Sequence, residues 1–311
     1  MREYGIKLFV NLYGYAGYED YVKGQGASVI TYPIDDMCFS PIEEIHVRIL
    51  NVIQRNRGRK VFVHCYAGIG RSGTLVSMYL IRKGMSYEAA YNKVKELCPL
   101  WPESRIQSIA PKWYERLLKK IGPDVIEACY VEGNRYLFGG SLGHASTVAN
   151  IALDILEEYV RTHLVQGEGW KWKVVYIAGM LHDIGRYDSS GEIHHIRSAQ
   201  IVEDLSTLKN ILSGKELEIV KYLIMTHRAR VDPVKCPQFK LIPSKTEALF
   251  LSSCVRIADA FHDVYTVDFY EGCRLEGDVL IIHADEYMRG RIANKSRILK
   301  DIGIRTEIGY R

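Results

Sequence analysis

The chain lacks the features that would place it in a membrane or outside the cell. No stretch approaches the roughly 18 consecutive apolar residues that a spanning helix needs, and residues 1–5 show no signal-peptide core. The seven cysteines, at positions 38, 65, 98, 129, 236, 254 and 273, form no CxxC pair. Their odd number and scattered placement argue against a disulfide framework. Low-complexity tracts and repeats are missing as well. The net charge is only +4, which suits an anionic small molecule and gives no indication of nucleic acid. A reducing, cytoplasmic setting without membrane attachment is therefore expected.

What is present points to two domains. A length of 311 residues exceeds the roughly 100–200 of a typical domain, and 47% hydrophobic with 25% charged residues is ordinary for a globular chain. An amphipathic helical run over 108–118 gives way at Lys120-Ile121-Gly122-Pro123, where a Gly-Pro pair favours a turn or linker. The expected division is 1–121 and 122–311. Strand-like runs at 7–12, 28–31 and 61–63 lie in the first part, and long helical patterns dominate the second. The expected fold class is α/β with a mainly parallel sheet flanked by helices, followed by an all-α domain.

The densest chemistry lies in His64-Cys65-Tyr66-Ala67-Gly68-Ile69-Gly70-Arg71-Ser72-Gly73-Thr74. An apolar strand precedes it and a helix ending near Gly84 follows. A strand, a glycine-rich loop and a helix N-terminus turn successive N–H groups toward one anion. Such a field lowers the pKa of a thiol within it, so Cys65 becomes a candidate thiolate nucleophile. Arg71 offers a planar fork for two phosphate oxygens. The loop residues Tyr66, Ala67, Gly68, Ile69, Gly70 and Arg71 form the candidate phosphate cradle. A phosphate ester's leaving group needs a proton, to be supplied from a separate loop. The segment Tyr32-Pro33-Ile34-Asp35-Asp36-Met37 offers Asp35 and Asp36.

These residues match the cysteine-phosphatase signature HCxxGxxR followed by Ser or Thr, and the segment resembles a dual-specificity protein tyrosine phosphatase. The resemblance implies a phosphocysteine at Cys65, phosphoryl binding by Arg71, thiolate departure aided by Ser72, and thiol tuning by His64. It favours Asp36, 29 residues before Cys65, as general acid, and Gln107 in the segment 102–107 as the group positioning the hydrolytic water. Relatives usually carry more chain before the first strand, so a shallow pocket is expected. No cofactor is implied for this domain.

Beyond Gly122, histidines sit at helix ends. His144 precedes an amphipathic run, His182-Asp183 closes the apolar run 174–181, and His194 and His195 open another helix. His227 follows the run 217–225, and Asp259 lies near the end of a further one. This order, H…HD…H…H…D, resembles that of the HD superfamily of metal-dependent phosphohydrolases. The resemblance implies a ligand set of His144, His182, Asp183, His194, His227 and Asp259, with His195 as the alternative to His194. It further implies two divalent transition-metal ions, iron or manganese first and cobalt, nickel or zinc as alternatives. Imidazole and carboxylate donors suit such metals, and a metal pair would bind phosphate and lower the pKa of a bridging water. Arg186 is a candidate phosphate contact. His262-Asp263 is set aside as a second HD pair without downstream partners, and His46 and His163 are read as structural. Residues 278–283 suggest a short strand, and the basic segment 289–297 a solvated helix face.

The combined expectation is a bifunctional phosphohydrolase acting on a phosphorylated small molecule or nucleotide, with a phosphoprotein as the other substrate class. The rivals are a protein phosphatase whose helical region is a nucleotide-binding regulatory module, and a non-enzymatic scaffold.

Overall fold

A computed structural model describes residues 4–15, 17–163, 169–189, 191–261 and 270–309. It divides into two compact units, 1–119 and 120–311. His262 and Asp263 lie outside the described residues. Among the described residues, no helix is long and apolar enough to cross a membrane.

The first unit is built on a parallel sheet ordered β2-β1-β3, with β1 at Ile6–Asn11, β2 at Ser28–Thr31 and β3 at Lys60–His64. Phe9 pairs with Val29 on one side and Phe62 on the other. Leu8, Val10 and Leu12 are buried, as expected of a central strand covered on both faces. A continuous helical segment spans 42–55, with a π-helical turn at His46–Leu50. Inside it His46 is fully buried, its Nδ1 3.0 Å from both the Tyr114 hydroxyl and Arg82. Burial, and then the Arg82 charge, push its pKa down to about 3, so it is a neutral acceptor tying three helical segments together.

Two helices set the geometry at the end of β3. Gly70–Arg82 starts five residues after Cys65, and Arg105–Lys120 lies against it. Pro111 falls inside the second helix and has no N–H for the carbonyl four residues back. That carbonyl, on Gln107, instead accepts from the Thr74 hydroxyl at 3.3 Å. The same hydroxyl accepts from Trp101 Nε1 at 3.0 Å, which fixes the register of one helix against the other.

The second unit packs the helices Pro123–Arg135, Leu142–His163, Gly169–Leu181, His194–Asp204, Gly214–Thr226 and Lys245–Ala258. Gly169–Leu181 is apolar nearly all round, with every residue from Val174 to Leu181 buried, which marks it as the central helix. Ser213 and Glu216 form a capping box that starts Gly214–Thr226. Phe250 stacks on Tyr159 with ring centroids 4.1 Å apart.

The unit is largely helical, but it departs from the all-α expectation. β4 (Tyr270–Glu276), β5 (Val279–Ala284) and β6 (Arg305–Gly309) form a sheet ordered β4-β5-β6, antiparallel then parallel. Only β5 had an apolar run that could be read as a strand. β4 carries Gly272 and three charged residues, and β6 is short and polar with no buried residue. Neither shows the alternation that reveals a strand in isolation.

Candidate active sites

In the first unit the site begins where β3 ends. His64 Nδ1 lies 3.1 Å from the Cys65 carbonyl, and its Nε2 is bonded to the Tyr18 hydroxyl from the segment ahead of helix Glu19–Gly24. The ring thus braces the backbone of Cys65. Gly68 adopts φ 78°, a left-handed conformation that glycine enters without strain, and its N–H donates to Cys65 Sγ at 3.3 Å. Tyr66, Ala67 and Gly68 are exposed, Ile69 is half-buried, and Cys65, Gly70 and Arg71 are buried.

Burial alone would raise the Cys65 thiol. The Ser72 side chain and N–H, the Gly68 N–H and the Arg71 charge outweigh it and leave the pKa below its usual value. The Ser72 hydroxyl has no conventional hydrogen-bond partner of its own, so it is available to the sulfur. Arg71 donates from one terminal nitrogen to the Ile34 carbonyl at 2.6 Å and from the other to Asp36 Oδ1 at 2.9 Å. Its Nε is buried without a partner. Asp36, 72% exposed, therefore reaches over the loop, whereas Asp35 is exposed with no such contact. Gln107 is fully buried. Its Oε1 accepts from the Glu103 N–H at 3.0 Å and its Nε2 donates to the Cys38 carbonyl at 3.4 Å. The amide therefore ties the Arg105–Lys120 helix to the loop that carries Asp36.

In the second unit all six expected residues converge, each from a helix or helix end and each less than 9% exposed. Four Nδ1 atoms face backbone carbonyls: His144 to Phe261 at 3.3 Å, His182 to Gly179 at 2.8 Å, His194 to Gly191 at 2.8 Å and His227 to Ile224 at 2.6 Å. With Nδ1 donating, each Nε2 lone pair is aimed at the centre. There His144 and His182 Nε2 lie 3.1 Å apart, and His194 and His227 Nε2 3.2 Å apart. Two metal-capable triads result, His144–His182–Asp183 and Asp183–His194–His227, and they share Asp183. Asp259 Oδ1 stands 3.4 Å from His144 Nε2 and 3.6 Å from His182 Nε2.

One oxygen of each carboxylate is held by a cation: Asp183 Oδ2 by Arg186 Nε at 2.7 Å, and Asp259 Oδ2 by Lys295. Burial opposes ionisation of Asp183 and Asp259, but the surrounding imidazoles, joined at Asp259 by Lys295, hold both well below the usual carboxylate range. Gly185 permits the convergence. A Cβ there would stand 2.4 Å from the His194 carbonyl, and its N–H donates to Ser198 Oγ at 2.8 Å. His195 joins neither triad. Its Nδ1 is buried without a partner, and burial, then the charges of His194, Arg228 and Arg230, push its pKa down to about 4.

Whether this donor set fits metal ions can be tested on one atom. Asp183 Oδ1 is buried and accepts no hydrogen bond, although His194 Nε2 is only 3.1 Å away. When the rings are neutral and donate through Nδ1, as metal ligands must be, an acceptor facing other acceptors in a dry site is costly unless a cation lies between them. The residues fit a pair of divalent ions. Tyr18 and Lys295 were not anticipated from sequence, and Lys295 corrects the reading of 289–297 as a solvated face. Each contacts its partner across 46 and 36 residues respectively, a separation that local pattern does not register.

Comparison with known proteins bears on the first unit. Residues 1–111 match the family model for the dual specificity phosphatase catalytic domain. Phosphatidylglycerophosphate phosphatase PTPMT1 of Arabidopsis thaliana is 43% identical over 67 residues, 21% of this chain and 20% of that protein. Protein tyrosine phosphatase type IVA 2 of Mus musculus is 31% identical over 100 residues, covering 31% and 59%. Among solved structures, Tk-PTP in its active form is 29% identical over 36% of this chain and 80% of that one, with a TM-score of 0.33. The chain spans less than two thirds of the length of these two curated relatives. The relatives are phosphatases, that is, phosphoric ester hydrolases, and the N-terminal segment carries a dual-specificity phosphatase domain.

Proposed function

We propose that the protein is a two-site phosphohydrolase, with thiolate chemistry in the first unit and metal-assisted hydrolysis in the second. The observation that carries the first half is the hydrogen bonding around Cys65 Sγ, which favours a thiolate beneath a loop of backbone donors. A phosphate dianion entering the loop takes the Arg71 fork and displaces Asp36 from it. The freed carboxyl, now beside a dianion, takes up a proton. Cys65 Sγ attacks phosphorus, the P–O bond to the leaving group breaks, and Asp36 supplies that oxygen with its proton. In the second step water, positioned by Gln107, attacks the phosphocysteine. Asp36 receives the water's proton, and Ser72 stabilises the departing thiolate.

The second half is supported by the two triads sharing the Asp183 carboxylate, whose Oδ1 is buried without a hydrogen-bond partner. His144, His182 and Asp259 would hold one ion, His194 and His227 the other, and Asp183 both. Divalent ions bound there supply Lewis acidity toward a phosphoryl group. The chain's own part is orientation. The four carbonyl-anchored imidazoles fix the donors, while Arg186 and Lys295 hold the carboxylates in place.

The two halves separate in one assay. Wild type, Cys65→Ser and Asp183→Ala are compared on an aryl phosphate in chelator and on a panel of phosphorylated metabolites with metal, alongside elemental analysis. Aryl phosphatase activity in chelator that survives Cys65→Ser sinks the first half. Unchanged metal content and unchanged metabolite hydrolysis in Asp183→Ala sink the second.

A further inference from the structure

Beside the histidine–aspartate cluster the second unit holds a cavity of about 460 Å³. Five cations line it: Arg186, Arg228, Arg230, Lys295 and Arg297. Asp259 and Asn294 supply its other polar groups, and Ala229 its apolar surface. Small-molecule pockets are ordinarily walled by apolar and aromatic side chains with a few polar groups. Here the proportions are reversed, and no aromatic ring stands among the described lining residues.

The cations divide by occupation. Arg186 and Lys295 are committed to Asp183 and Asp259. Arg230 donates to the Glu192 carbonyl, a neutral partner. Arg228 and Arg297 pair with no carboxylate among the described residues. Three guanidinium groups of the lining are thus left without an ion-paired carboxylate among the described residues. Guanidinium is the side chain that holds phosphate by two parallel hydrogen bonds. One phosphoryl group over the aspartates would leave these three unused.

We propose that this cavity binds a compact polar molecule with two or more phosphate groups, one at the aspartates and the next at Arg228, Arg230 and Arg297, and that it makes no dedicated contact with a nucleobase. The proposal rests on reading the cluster as the reacting centre. Without an aromatic platform, a base would gain little from the wall, whereas a further phosphate meets guanidinium groups that form no ion pair with a carboxylate among the described residues. The required chemistry has two sources: phosphates in direct anhydride linkage, or phosphates spaced along a polyol.

The test is calorimetric titration of the full chain, metal-loaded and chelator-treated, with orthophosphate, pyrophosphate, fructose 1,6-bisphosphate and ADP. Pyrophosphate or the bisphosphate should bind at least about tenfold more tightly than orthophosphate, the scale of one added charge-assisted contact; whichever is tighter identifies the source. Arg297→Ala alters an exposed residue and should remove most of that advantage while changing orthophosphate affinity by less than about threefold. Arg228→Ala should act in the same direction, with thermal melting to verify folding. Equal affinity for all phosphates, no effect of Arg297→Ala, or ADP binding about tenfold tighter than pyrophosphate overturns the proposal. Elemental analysis of the same samples keeps the two readings apart. Metal-free protein that still prefers polyphosphates supports the cavity and tells against the metal site alone. Metal-bound protein without that preference does the reverse.

Discussion

The two proposed sites are built from opposite materials. Around Cys65 the nucleophile, the phosphate cradle and Arg71 are contiguous over 64–74, joined by Asp36 and Gln107 from other segments. The loop residues 66–68 are open to solvent, and the donors are backbone N–H groups and one arginine. Around Asp183 they come from positions 144 to 259, are nearly all inaccessible, and leave a carboxylate oxygen with no partner. The thiolate chemistry proposed for the first site draws on the chain's own groups. The second gathers four imidazole lone pairs and two carboxylates in a dry place, an arrangement that calls for cations. One site should therefore be indifferent to chelation, and the other should not.

The sharpest way to break this contrast is Cys65→Ser. A serine hydroxyl in the same cradle has no thiolate's nucleophilicity, so chelator-resistant aryl phosphatase activity should fall on the order of 10⁴-fold or more. Metal content and metabolite hydrolysis should stay as in wild type. Next in size is Asp36→Asn. Loss of a general acid costs roughly 10²–10⁴-fold, and the loss should be greater for an alkyl ester than for p-nitrophenyl phosphate, whose oxygen leaves without a proton. Asp35→Asn, at a position without contact to Arg71, should change turnover by less than about threefold. Equal losses in the two variants would reverse the assignment. For the second site, stripping metal should lower the melting temperature of the second unit only. Ligand at about a hundred times its dissociation constant contributes near 2.7 kcal/mol, and Asp183→Ala should abolish the metal-dependent shift.

The two sites were also unequally legible in the sequence. The Cys65 loop could be read because its residues adjoin one another between a strand and a helix that declare themselves. The His182-Asp183 pair could be read for the same reason, and the single histidines by their order at helix ends. Choices between neighbours could not be made that way. His194 and His195 both open one helix, and only its packing turns the Nε2 of the first toward Asp183. Asp35 and Asp36 differ by which one reaches Arg71. Tyr18 and Lys295 reach their partners from distant elements, and β4 and β6 are strands only because β5 lies between them. Each of these depends on tertiary contacts, which local periodicity does not encode.

The smallest expected effect sharpens the comparison from the other side, because burial of a histidine is not by itself the mark of a ligand. His46 is as deeply buried as His182, yet its Nδ1 contacts Tyr114 and Arg82, and it forms no ion pair with a carboxylate among the described residues. Its pKa is pushed down to about 3 in the folded unit, against roughly 6.5 in an unfolded chain. Between those values the unfolded state holds the extra proton, so this contribution to stability is present above about pH 6.5 and is lost as pH falls below it. By pH 5 the loss should reach about 2 kcal/mol. Hydrogen exchange of amides in Gly70–Arg82 and Arg105–Lys120 reads it locally, without assuming that the two units unfold together. In His46→Gln, which keeps an acceptor for Arg82, protection of these amides should lose most of its dependence on pH between 7 and 5. A slope unchanged by the substitution would place the acid sensitivity of this unit elsewhere.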